Sequence, residues 1–275
     1  MNKPGIALLL LTAPLLAGAA VGTHADQAAP DPAGAVAPER LTQGALSAPE
    51  YAFKQEVYRR HVARGLTSGR PRVFDLPSSA LAPIPGTQTL MRRDAAAALG
   101  GLLGAARADL TADLDAPGQD AETTGRRERA RRVEALALDN AYRSASTQFG
   151  IWDRNYAGYA ASTRAARLLC PGGEFGPAAA DLLREYVGVR VAAPGFSNHQ
   201  GGTAVDFALR LKPAAAAPAI AAAQLGPLAA QADPWKESWF WRWLNRRAGA
   251  FGFIAYLPEP WHWEFAPDRA GKGRS

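Results

Sequence analysis

The sequence predicts an α+β fold: a small antiparallel sheet that carries the chemistry, with helices packed on its outer face. Three patterns predict it. Trp261-His262-Trp263-Glu264-Phe265 alternates aromatic and polar residues, the rhythm of a half-buried strand, and sets His262 and Glu264 on the face opposite the aromatics. Ala204 to Leu209 surrounds Asp206 with apolar residues and reads as a second strand. Leucines and alanines recur at helical spacing from Leu90 to Leu114, as in an amphipathic helix.

The elements follow in order. Residues 1–25 read as a secretory signal peptide: Lys3 is the positive end, Ile6 to Leu16 the apolar core, and Thr23-His24-Ala25 a small-residue cleavage site. The apolar run is shorter than the ~20 residues that span a bilayer, so cleavage is expected, with no stable transmembrane segment afterwards. A secreted protein, periplasmic or cell-wall associated, is expected. Residues 26–88 form an N-terminal extension, partly flexible, whose Ala-, Pro- and Gly-rich start reads as a tether. Within it, Pro49 to Arg64 suggests a short helix, and Pro71 to Pro85 an extended run. Residues 89–268 form the catalytic domain, and 269–275 a polar tail.

Inside that domain, Asp115 to Thr124 is a polar loop, and Val133 to Tyr142 the first core strand, leading into Arg143. Ser146 to Leu169 is helical, with Trp152, Tyr156 and Tyr159 as an aromatic stripe for core packing. Ala178 to Tyr186 is a second helix. Lys212 to Ala232 is an insertion. Glu237 to Arg247 is a helix with Trp239 and Trp243 on the face toward the sheet. Phe251 to Tyr256 forms a strand that hairpins into the His262 strand.

Composition narrows the chemistry. The formal net charge is +6, or +5 once Lys3 leaves with the signal, a modest basic excess suited to an anionic wall. Arg126 to Arg132 is the densest basic cluster, yet no aromatics interleave it, so a solvated loop and helix start is expected and no nucleic-acid partner. The single cysteine, Cys170, excludes an intramolecular disulfide and a Cys-based zinc cluster and reads as a small buried hydrophobe.

Two of the four histidines remain for metal chemistry. Ser197-Asn198-His199-Gln200-Gly201-Gly202-Thr203-Ala204-Val205-Asp206 and Glu259-Pro260-Trp261-His262 offer imidazole and carboxylate in the mix that catalytic zinc takes as three protein ligands. His199, Asp206 and His262 are the expected ligands of one zinc ion per chain. Zinc lowers the pKa of bound water from 15.7 to roughly 7. Glu259 is the expected base, fixed beside the ligand strand by Pro260. An arginine at the end of a strand facing the cleft, Arg143, suits a substrate carboxylate or a developing oxyanion. Ser197 either hydrogen-bonds substrate or shapes the turn.

These residues resemble a known family. Ser-x-His-x-x-Gly-x-Ala-x-Asp is met by Ser197, His199, Gly202, Ala204 and Asp206. Glu-x-Trp-His is met by Glu259, Trp261 and His262. Tyr-Arg-Ser-x-x-x-Gln is met by Tyr142, Arg143, Ser144 and Gln148. Together they resemble the VanY-like D-alanyl-D-alanine carboxypeptidases of the LAS zinc peptidases, whose fold is shared with the Hedgehog amino-terminal domain. The resemblance covers about the last two thirds of the chain. It implies the ligand set and base given above, Arg143 in substrate binding and oxyanion stabilisation, Gln148 beside substrate, and a peptidoglycan stem peptide ending in D-alanine as the partner. Two alternatives stay open: an L,D-carboxypeptidase or endopeptidase on the same site, and a zinc-containing wall-binding module without activity. The sequence leaves the oligomeric state open.

Overall fold

The computed structural model describes residues 37–68, 73–118, 120–212 and 235–270. The signal segment 1–25, the start of the tether, most of the 212–232 insertion and the end of the tail lie outside the described residues.

Strand β4 (Ala204–Leu211) organises the sheet. β3 (Val133–Asn140) pairs antiparallel on one side of it and β6 (His262–Phe265) on the other, with β5 (Phe253–Ala255) beyond β6. The order is therefore β3-β4-β6-β5, the small antiparallel sheet the sequence predicts. A separate two-stranded hairpin joins β1 (Leu81–Pro83) to β2 (Leu90–Arg92).

Side chains alternate across a strand, so each sheet face has its own composition. Val205, Phe207 and Trp263 point to one face and are buried against α2 (Arg93–Asp115) and α6 (Trp239–Arg247). Leu99, Leu102 and Leu103 complete this core, each worth about 1.5–3 kcal/mol on full burial. The helices also lock to each other through polar groups. Trp239 and Trp243, one turn apart on α6, donate their indole N–H groups to Asp113 (2.7 Å) and Asp109 (2.8 Å), one turn apart on α2. A buried indole N–H needs such an acceptor.

A second core lies across a cleft from the other sheet face. It joins α1 (Ala48–Thr67), α4 (Ala145–Leu168) and α5 (Pro177–Gly188) through Val57, Tyr58, Trp152, Tyr156 and Leu183. α1 starts with Glu50 accepting the Ser47 backbone N–H at 2.8 Å, half of a capping box. Lys54 of α1, almost fully buried, meets Asp153 of α4 at 2.5 Å.

Several details differ from the sequence reading. The short helix expected in the extension is longer, and α1 supplies Phe53, Val57 and Tyr58 to the helical core. The expected polar loop 115–124 is shorter, since Asp120 caps α3 (Ala121–Arg131) by accepting the Thr123 backbone N–H. The arginine cluster lies mainly on that helix, with Arg126 paired to Glu122 and Arg131 to Glu128. Cys170 is half-buried at the edge of the helical core. The tail opens with a short helix, α7 (Pro267–Ala270). Among the described residues no helix is long and apolar enough to cross a membrane.

Candidate metal centre

The register of the sheet creates the site. Asp206 of β4 stands directly opposite His262 of β6, both on the face away from the α2–α6 core. His199 arrives from the turn that precedes β4. Its backbone carbonyl accepts the N–H groups of Gly202 (3.0 Å) and Arg143 (3.3 Å). Gly202 is required there: its φ is +64°, and a Cβ would lie 2.7 Å from the backbone nitrogen of Arg92.

One ligand atom from each of His199, Asp206 and His262 falls within 4.8 Å of the others, so the three can hold one metal ion. His262 Nδ1 is 2.9 Å from Asp206 Oδ1, and His199 Nε2 is 3.2 Å from Asp206 Oδ2 and 3.2 Å from His262 Nδ1. The ring atoms turned away from this point are engaged elsewhere. His199 Nδ1 donates to the Ala141 carbonyl at 2.7 Å, which leaves the Nε2 lone pair for a cation. His262 Nε2 lies 3.5 Å from Glu264 Oε1, a carboxylate behind a histidine that orients the ring and raises its basicity. The donor chemistry, convergence and outer partners all fit a divalent metal.

The charges follow from burial opposed by pairing. Burial favours neutral His262, but hydrogen bonds to Asp206 and Glu264 outweigh it and hold the imidazole up at about 9. Burial raises Asp206, yet hydrogen bonds from His199 and His262 pull it below the ordinary carboxylate range. His199 is lowered by burial, partly offset by Asp206. Glu259 Oε2 is 4.0 Å from His262 Nδ1; burial, reinforced by the charge of Asp206, raises its carboxyl.

A cleft of about 550 Å³ opens over these groups. Arg143, Ser197 and Glu259 line it from the sheet side, and Tyr159 and Tyr186 from α4 and α5. The structure thus brings together His199, Asp206, His262, Glu259, Arg143 and Ser197. Gln148 is placed differently. It is fully buried and does not line the cleft. Its side-chain oxygen accepts from Arg143 Nε at 2.5 Å, and its amide donates to the Ala192 carbonyl at 2.6 Å. It aims Arg143.

Sequence reasoning missed other parts. Glu264 had been placed on the His262 face, and its spacing of two residues was the available signal for its role. Gln200, also fully buried, clamps the loop before the site through Gly195 N–H (2.8 Å) and the Val73 carbonyl (2.9 Å), and nothing in its neighbours announced this. Tyr159 leaves the expected aromatic core stripe for the cleft, whereas Trp152 and Tyr156 stay buried. Trp261 precedes β6 and also reaches the cleft, so the aromatic face of that strand is Trp263 and Phe265.

The comparisons with known proteins bear on this geometry. The family model for VanY, D-alanyl-D-alanine carboxypeptidase, matches residues 126–268, which contain every residue of the site. The chain belongs to the VanY D-alanyl-D-alanine carboxypeptidase family. No curated protein matches it by sequence. Among solved structures, a mutant of the vancomycin resistance D,D-pentapeptidase VanY from a VanB-type cassette, in complex with Zn(II), aligns at 21% identity and TM-score 0.41, covering 73% of this chain and 90% of that one. VanYB in complex with D-alanine-D-alanine aligns at 20% identity and TM-score 0.42, covering 73% and 88%. The LdcB LD-carboxypeptidase aligns at 18% identity and TM-score 0.39, covering 73% and 77%. The VanY match leaves α1, α2 and the β1–β2 hairpin outside the family segment.

Proposed function

We propose that this VanY-family chain is a zinc-dependent D-alanyl-D-alanine carboxypeptidase acting on peptidoglycan stem peptides, outside the cytoplasm. The observation that carries the reading is the convergence of His199, Asp206 and His262 on one point beside Glu259, with Arg143 on the same cleft. The extracytoplasmic location rests on the signal-like residues 1–25 alone.

His199 Nε2, Asp206 and His262 Nδ1 would hold one Zn²⁺. When bound, the ion supplies Lewis acidity toward the scissile carbonyl and acidifies a water. The chain does the rest. Glu259, whose carboxyl burial raises from its ordinary range, accepts the proton of the attacking water and returns it to the departing amine of D-alanine. Arg143 stays cationic and faces the developing oxyanion, held in place by Gln148. Ser197, buried at the cleft wall, is positioned to hydrogen-bond the peptide. Tyr159 and Tyr186 form an aromatic wall on the helical side of the cleft.

The test is incubation of the purified protein with a muramyl pentapeptide ending in D-Ala-D-Ala, with and without chelator, with products read by mass. The reading expects loss of one alanine, stopped by chelator and restored by zinc. Internal fragments would make the chain an endopeptidase, and cleavage of a tetrapeptide only would make it an L,D-carboxypeptidase. An intact peptide with zinc bound would reject the enzymatic reading in favour of a wall-binding module.

A further inference from the structure

A second hollow, of about 710 Å³, adjoins the metal cleft, and Gly188, Val189, Ala192, Phe196 and Tyr256 line both. Its far wall is built by α1, which precedes the family segment, through His61, Arg64, Gly65 and Ser68. Arg184 and Glu185 of α5 close it.

Two groups on this wall are uncommitted. His61 is only 7% exposed. Its Nδ1 accepts the indole N–H of Trp152 at 3.0 Å, so the neutral ring carries its proton on Nε2. That N–H meets no acceptor among the described residues, and a Cβ built on Gly188 of the hollow would lie 3.5 Å from it. His61 lines the hollow, so an acceptor that enters it can take this hydrogen bond. The guanidinium of Arg64 forms no hydrogen bond or ion pair with a described residue. The other charges are spoken for: Arg184 lies 3.5 Å from Asp181 and 3.0 Å from Glu185. Among the described residues the hollow thus presents the His61 N–H and the Arg64 guanidinium to an acidic ligand.

We propose that this hollow is a substrate subsite for a carboxylate on the amino-terminal side of the scissile bond, with Arg64 as counter-charge and His61 as hydrogen-bond donor. The inference rests on the carboxypeptidase reading. A carboxypeptidase releases one residue, so the longer remainder of the peptide must run out of the metal cleft along an adjoining surface. Two to three extended residues cover about 7–11 Å, the scale of a neighbouring lobe. A stem peptide whose second residue keeps a free carboxyl group carries the required charge at that remove.

The test is calorimetric binding of the tetrapeptide product to the zinc-loaded protein, as the free acid and as the carboxamide of that one carboxyl group. The wild type should bind the acid about five- to tenfold more tightly. Arg64→Gln, a change on an exposed helix position, should bind both forms equally while keeping its melting temperature. It should also keep kcat and KM on N-acetyl-D-Ala-D-Ala, which is too short to reach the hollow. Equal binding of acid and amide by the wild type, or an unchanged preference in Arg64→Gln, would overturn the subsite. If the acid preference appears and disappears as expected but no substrate is cleaved, the carboxypeptidase reading fails and the subsite stands.

Discussion

The two cores that face each other across the cleft hold polar groups in opposite ways. The sheet core confines its polar contacts to the indole–aspartate pairs between α6 and α2 and gathers its chemistry on one open face, where Asp206, His262 and Glu264 stand at alternate strand positions. The helical core takes polar groups inside and pairs most of them there. Lys54 meets Asp153 and the Thr42 carbonyl, His61 accepts from Trp152, and Arg167 reaches Thr163 and the carbonyls of Ala160 and Glu174. The difference separates labour: the sheet side carries reaction chemistry, and the helical side shapes what can approach it.

The largest effect that sharpens this division concerns the residue between the two cores. Arg143→Ala should lower kcat by about 10²–10³, the range for loss of one oxyanion donor, with zinc stoichiometry unchanged. A loss confined to KM would move Arg143 from the oxyanion to ground-state binding. On the helical side, Leu183→Ala empties a fully buried site and should cost about 2–5 kcal/mol in denaturant unfolding. Well below its melting temperature that variant should still bind one zinc. Loss of metal in the folded variant would show that the helical core shapes the ligand set.

How much of this was legible follows the same boundary. His199, Asp206, Glu259 and His262 were readable because strand alternation and short turns fix their faces locally. The helices α4, α5 and α6 were readable from periodicity. Gln148 was noticed, but its burial under Arg143 depends on how α4 docks, so its contact with Ala192 had no local signature. The same holds for Gln200, and for α1, whose partners Asp153 and Trp152 lie about a hundred residues along the chain. The packing of the extension's helix on α4 therefore has no local signature in the sequence.

The smallest expected effect is a pH dependence of stability. Burial holds His61 down at about 4, with the charge of Arg184 adding to it. The unfolded chain titrates near 6.5. Between these values the unfolded state binds a proton that the folded state refuses. This contribution is therefore intact above pH 6.5 and declines as pH falls toward 4, by up to about 3 kcal/mol. Denaturant unfolding of the wild type and His61→Gln at pH 7 and 4.5 checks it: the wild type should lose more. Parallel losses would assign the slope to other groups.

The central claim is that one cleft combines a metal triad with a separate carboxylate base, and Glu259→Ala tests it most directly. Metal content by mass spectrometry and hydrolysis of a D-Ala-D-Ala pentapeptide are measured on the same preparation. The account predicts one zinc per chain, as in the wild type, and a rate reduced by about 10²–10⁴, the span attributed to general-base catalysis. Wild-type turnover with zinc in place would contradict it.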